Sequence, residues 1–401
     1  MPQTIKEYWA KFRPSWLVLA LYLIPILRQT AFYRIREDAS DYTGIDGFAI
    51  LDISIFMLCI PVFVHYWPKT NRNPLHHHCL TWWLYYYIFC MFSFLWRVPG
   101  SSALYILYRA GTMLIMTIYT YLIFARFPSR EIAFRWLCNL IGLNMLSGFL
   151  KALSVGHLHT NGYSVNAAVL AMLVLVSVKQ DIIAWKEYKW YFYLAIICLV
   201  CGTSGGSNVA FLAGLIFYFN LSKKGFNIGK FSISLCILLI IYHFFWDYAS
   251  QMLFPGKSVD AIESGTGRIA LWETYLYAWS KSPWVGWGFA VGERSGAYWG
   301  FIYALSAHNG FLSVLVNTGL IGMIIWGNFL VPMLYQAYNL MKQGNGYATT
   351  ILVAMVVLLT NNLTIPTMGS HWGQLSCTVA MLLVFFVIFV LPQEDKQSNT
   401  V

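Results

Sequence analysis

The stretch DYASQMLFPGKSVDAIESGTGRIALWETYLYAWSKSPWVGWGFAVGERSGAYWGFIYALSAHNGFLSVLVNTGLIG, residues 247–322, is the longest polar interruption in an otherwise apolar chain. Charged residues are scarce elsewhere, yet Asp260, Glu263, Arg268, Glu273, Lys281, Glu293 and Arg294 all fall inside it. Glycines at 265, 267, 286, 288, 292 and 296 punctuate it, which marks turns or close backbone approach. Apolar runs near bilayer length flank it, so residues 248–307 read as one long loop held by a membrane scaffold.

The whole composition agrees. The 401 residues are 58% hydrophobic and 10% charged, with mean hydropathy +0.59, against about 25% charged residues in a soluble domain. The runs lack the roughly ten-residue alternation of a membrane β-barrel. The expected fold is all-α: a polytopic transmembrane bundle forming a single integral membrane domain over residues 1–401. About twelve spans are expected, near 15–31, 47–67, 79–96, 102–125, 132–150, 163–178, 190–202, 207–221, 231–247, 310–337, 346–362 and 373–391. The loop contains an amphipathic stretch from Arg268 to Ser280, suited to a helix lying on the membrane surface.

Charge orients the bundle. With the N-terminus in the cytoplasm, cytoplasmic segments carry 15 lysines and arginines against 9 on the other side. That follows the positive-inside rule and puts both termini in the cytoplasm. The long loop then faces outward, into the periplasm if the host is a bacterium. No cleavable signal peptide is expected, because the first apolar run opens a series of spans. The net charge of +10 has no basic cluster long enough for nucleic acid. Eight isolated cysteines read as small buried hydrophobes. No Walker loop is present, so ATP-driven transport by this chain is unsupported.

Several residues could carry chemistry. Arg268, in SGTGR at a helix start, either binds an anion or pairs with Glu263 or Glu273. His308, in SAHNG, is either a general base or an interfacial histidine, and Asn309 either orients it or caps the next span. Arg109 sits in mid-span, where an arginine needs a cavity or a partner such as Asp52. Arg135 lies nearer a basic loop, and Lys151 ends a span on the outer side. His157 and His159 lack an obvious third ligand, and His76 to His78 are crowded on the other face, so no metal site is expected.

At this point the motifs resemble a known family. SGTGRIALWETYLYAWSKSPWVGWGF followed by AHNGFLSVLVNTGLIG resembles the C-terminal region of the O-antigen ligase and O-antigen polymerase superfamily. Its Gly-Arg pair, Lys-Ser-Pro turn, Gly-x-Gly, His-Asn and Gly-Leu-Ile-Gly are present at 267–268, 281–283, 286–288, 308–309 and 319–322. The resemblance implies a GT-C-like membrane glycosyltransferase of the bacterial inner membrane, inverting, metal-independent and without a cofactor. Its donor would be an undecaprenyl-diphosphate-linked glycan. Its acceptor would be lipid A–core for a ligase, or a second lipid-linked repeat unit for a polymerase, with membrane lipids around it. Carried over, Arg268 would bind the donor diphosphate, His308 would be the base on the acceptor hydroxyl, and Asn309 would support it. A second family arginine is missing, with Gly205 and Gly206 at the matching place in CGTSGGSNVA. Either Arg109, Lys151, Arg294 or Arg97 takes that role, or the glycine backbone forms an anion nest. Asn161, Asn166 and Glu273 are candidate sugar or acceptor contacts. The competing readings are a secondary transporter of an organic anion or glycan, which would suit Arg109 and the break near Gly202 to Ser207, and an inactive assembly protein.

Overall fold

The computed structural model describes residues 19–20, 22–24, 47–66, 78–124, 127, 129–156, 161–222, 225–253, 268–299, 306–370 and 375–392. It is a helical membrane protein. The helices are α1 (Gly47–Tyr66), α2 (His78–Phe92, extended by a 3-10 turn Ser93–Trp96), α3 (Ala103–Phe124), α4 (Arg130–Ser154), α5 (Asn161–Lys179) and α6 (Trp185–Cys201). They continue with α7 (Gly205–Asn220), α8 (Ile228–Leu253), α9 (Arg268–Lys281), α10 (Gly310–Lys342), α11 (Gly346–Asn361) and α12 (Leu375–Phe385, closed by a π turn Phe386–Val390). A two-stranded hairpin, β1 (Leu221–Ser222) with β2 (Gly225–Phe226), links α7 to α8.

Eleven of the twelve expected spans fall on these helices, and the first lies largely outside the described residues. Among the described residues, five segments are long and apolar enough to cross a membrane: His78–Trp96, Ala103–Phe124, Arg130–Ser154, Gly162–Lys179 and Gly310–Lys342. Two boundaries differ from expectation. α8 runs on to Leu253, so the long loop starts later than 248. α10 is one helix only in name, because Gly319 interrupts it with φ 65° and ψ −167°. The portion 320–342 is by itself ~35 Å long, enough for hydrocarbon about 30 Å thick. The portion 310–318 is therefore spare length, free to build a site.

α5 is the hub. It is apolar all round, and its residues from Tyr163 to Val174 are buried on every side. It packs against α4, α6, α7, α11 and α12. Small residues permit the close approach: a Cβ at Gly142 would meet the Tyr191 ring at 2.9 Å, and one at Gly214 would meet Val357 at 2.5 Å. Aromatic edges lock α2 to the α10 side, with Trp83 and Phe329 ring centroids 4.9 Å apart, a pair worth ~0.5–1.5 kcal/mol beyond its area. Six cysteines are buried and none is bonded to another; Cys201 is half-buried and Cys236 exposed, which departs from the expectation for that residue.

Alternate connections gather at one end. The Arg97–Ser101 turn meets the long loop (Val98 N–H to Trp287 O, 2.9 Å), α10 meets the turn after α11 (Gly310 N–H to Asn362 O, 2.6 Å), and α7 meets the end of α8 (Asn208 Nδ2 to Leu253 O, 3.0 Å). At the opposite end Arg135 bridges α4 to α6 by pairing with Glu187, and with Glu131 at 3.0 Å. Arg135 is thus a structural ion-pair residue.

Candidate functional site

A broken helix leaves backbone groups without partners, and a membrane protein must satisfy them internally. Here the turn after α9 does so. Trp287 and Gly288 N–H groups donate to the carbonyls of Val316 (2.9 Å) and Asn317 (3.0 Å), while Leu320 and Ile321 N–H groups donate back to Pro283 (2.8 Å) and Trp284 (3.0 Å). The approach is so close that a Cβ at Gly286 would lie 2.6 Å from the Asn317 and Thr318 backbone. The Lys-Ser-Pro turn, the Gly-x-Gly and the Gly-Leu-Ile-Gly are therefore one device, the plug and socket of a helix break. The far side of the same turn is fastened to α2: Trp96 Nε1 donates to Val285 O (2.8 Å) and Phe289 N–H to Ser93 Oγ (2.8 Å).

On this platform stand Arg268 and His308. Arg268 is the first described residue of α9. α9 docks on the first half of α10 through a small core of Leu271, Tyr275, Ala307, Leu312 and Val316, flanked by Trp272 and Trp279. Its other face exposes Ile269, Leu276 and Tyr277, as a helix lying in an interface would. His308 has φ 47°, the left-handed region, and immediately precedes the Asn309 cap of α10. Asn309 Oδ1 accepts from Phe311 N–H (3.0 Å) and Leu312 N–H (3.1 Å). The cap alternative for Asn309 is thus realised. Asn309→Ala should lower stability by about 0.5–2 kcal/mol, read as a lower thermal transition of the detergent-solubilised protein.

Arg268 is half-buried and, among the described residues, forms no ion pair or hydrogen bond; Glu273 is exposed and does not pair with it. Burial lowers the Arg268 pKa. His308 sits at the exposed rim, and among the described residues its imidazole makes no hydrogen bond. Its pKa is lowered by partial withdrawal from water and by the charge of Arg268. Among the described residues, a half-buried cation without an ion pair thus lies close enough to the imidazole to oppose its protonation. That arrangement suits an anion beside a proton acceptor.

A second pair of cations converges nearby. The Arg109 and Arg294 guanidinium carbons lie 5.0 and 5.3 Å from the centre of the Tyr105 ring, within about 10 Å of each other. Arg109 is not in mid-span as expected. α3 begins at Ala103, so Arg109 is only ~9 Å from the end that carries the long loop. The other candidates are engaged elsewhere. Arg97 Nε donates to Ser101 O (2.9 Å) and Nη1 to Phe94 O (2.8 Å). Gly206 packs on Thr364, whose Oγ1 would lie 2.3 Å from a Cβ there, and Gly205 is buried. Close packing against Thr364 accounts for glycine at 206. Lys151 lies in the last turn of α4.

Asn166 is not open to a sugar: it is fully buried, and its Nδ2 donates to Asn144 Oδ1 at 2.9 Å between α5 and α4. Asn161 begins α5, but its side chain lies outside the described residues, as do the side chain of Asp52 and residues 254–267, 76–77 and 157–160. Sequence reasoning passed over Glu293, which is buried, and Asn362. Asn362 Oδ1 accepts from Thr367 N–H (2.8 Å) and Met368 N–H (3.0 Å) and stands where a side chain at Gly310 would be. Their only signal was a polar residue in an apolar or loop setting.

Against known proteins, the O-antigen ligase family model matches residues 190–327. The match covers α6 to the first part of α10, and so includes Arg268, His308 and the helix break. No curated protein matches the chain.

Proposed function

We propose that this chain, whose residues 190–327 match the O-antigen ligase family model, transfers a glycan from undecaprenyl diphosphate to a sugar hydroxyl on the periplasmic face of a bacterial inner membrane, as members of the O-antigen ligase and O-antigen polymerase superfamily do. The observation that carries this reading is Arg268, half-buried and without an ion pair among the described residues, with its charge acting on the His308 imidazole.

The steps follow from those groups. The donor diphosphate lies against Arg268, with Arg109 and Arg294 as a further pair of cations; these two fill the role of the missing family arginine. His308 takes the proton of the acceptor hydroxyl. The oxygen attacks the anomeric carbon, the bond to the diphosphate oxygen breaks, and the diphosphate leaves with the electron pair. A single displacement of this kind inverts the anomeric centre. Arginine charge in a partly dehydrated site stabilises the leaving diphosphate more than water does. The lipid diphosphate is already activated, so no further energy source is needed. Lipid A–core is the acceptor we propose. A transporter reading, which Arg109 and the break near Gly202 to Ser207 would suit, is less well supported, because it leaves the charged residues concentrated in one long loop unexplained.

The test is transfer by purified protein, with the lipid-diphosphate-linked glycan offered to lipid A–core or to a second lipid-linked repeat. Extension of lipid A–core is expected, and Arg268→Gln should reduce it by about 10²–10³-fold. Longer lipid-linked chains would assign a polymerase. No product with either acceptor, from folded protein and native glycan, would overturn the transferase reading.

A further inference from the structure

Glu293 is the one acidic side chain that is buried among the described residues, with 3% of its surface exposed. Its N–H, its carbonyl and its carboxylate each hold another part of the site. Its N–H donates to Asn317 Oδ1 on α10 (3.0 Å), and its carbonyl accepts from Tyr275 OH on α9. Its carboxylate Oε2 accepts from Ser313 Oγ on α10 (2.6 Å) and from Ala307 N–H (3.4 Å), the residue before His308. The Ala307 carbonyl is held in turn by Trp272 Nε1 from α9 (3.0 Å). Ala307 is fully buried with both backbone groups bonded, so the backbone from which His308 projects is held in place.

We propose that Glu293 is a positioning residue that holds the His308 backbone at a set spacing from the helix that begins with Arg268. This rests on the reading of His308 and Arg268 given above. The residue touches neither substrate nor the reacting atoms. Its carboxylate holds Ala307 while its backbone carbonyl holds Tyr275, and so it ties together two segments that also meet through the Trp272–Ala307 hydrogen bond and the small Leu271–Val316 core. A buried carboxyl costs stability unless it is hydrogen-bonded. Burial raises its pKa, and the Ser313 hydrogen bond and the Arg294 charge oppose that. The hydrogen bonds from Ser313 Oγ and Ala307 N–H both go to one oxygen, Oε2, and the Asn317 side chain also lies close enough to favour the charged form. The amide oxygen of glutamine can replace that oxygen, whereas alanine or leucine cannot.

The experiment compares Glu293→Ala, Glu293→Gln and Ser313→Ala with wild type in the transfer assay. His308 labelling by diethyl pyrocarbonate is followed by mass spectrometry on the same samples. A misplacement near 1 Å costs about 100-fold in rate. Glu293→Ala should therefore lose about that much in kcat with donor KM little changed, and its His308 labelling rate should shift severalfold. Glu293→Gln should restore both. Folded Glu293→Ala with wild-type kcat and wild-type labelling overturns the proposal, as does failure of Gln to restore. If Glu293→Ala does not fold, Ser313→Ala decides, and unchanged kcat and labelling there overturn it. His308→Ala run alongside separates the two claims. If it transfers at the wild-type rate, the assignment of His308 as base fails, and the labelling result alone judges the positioning role.

Discussion

His308→Ala should reduce transfer by about 10²–10⁴-fold while the protein remains folded. The fold should survive because the imidazole is exposed and makes no hydrogen bond among the described residues. His308→Asn is the sharper control, since asparagine tolerates the left-handed backbone that residue 308 adopts but cannot accept the proton. The pH dependence follows with a definite sign. An ordinary histidine titrates near 6.5, and both burial and Arg268 lower His308 from there. The neutral base should thus persist below pH ~6.5, and activity should fall only as pH drops through the lowered value. Arg268→Gln should move the His308 titration upward, as measured by histidine labelling against pH. The same shift makes acid destabilising: the unfolded chain takes up the proton first, so stability falls with pH between the unfolded and folded values. An acid limb at or above the ordinary histidine value, or full activity in His308→Asn, would remove His308 from the role of base.

Gly319→Ala should cost about 3–5 kcal/mol, the strain of a glycine-only backbone added to overpacking. Its φ of 65° and ψ of −167° lie where other residues are strained. An added Cβ would also sit 2.3 Å from the Trp284 carbonyl carbon and oxygen and 2.4 Å from Val285 N. These are backbone atoms held by the hydrogen bonds that plug the break, so they cannot swing aside. Loss of monodisperse protein in detergent, or a thermal transition lowered by many degrees, is the expected result. Gly327→Ala is the matched control in the same helix, since a Cβ there meets nothing within 4 Å. Equal behaviour of the two variants would mean that the break does not hold the site together.

The helices were legible because bilayer thickness imposes a length on each apolar run, and length can be read from a linear chain. Gly-Pro punctuation marked the turns, and the glycines before Arg268 and the polar pair His308–Asn309 marked two helix starts. The structure has the second of these starts at Gly310, capped by Asn309. The break at Gly319 was not legible. The run through NTGLIG stays apolar, and a single glycine is compatible with a continuous helix. Only the docked turn 283–288, which supplies the missing hydrogen-bond partners, shows that it interrupts one.

Local sequence thus determined where the apolar helices lie and which residue types could bind an anion or accept a proton. Those properties depend on neighbours along the chain. Tertiary structure alone decided that Arg109 and Arg294 share the Tyr105 ring, that Asn166 is consumed by Asn144, and that Glu293 is a buried clamp rather than one more loop charge. Each of those outcomes depends on contacts between elements far apart in the chain, and periodicity carries no information about which faces will meet.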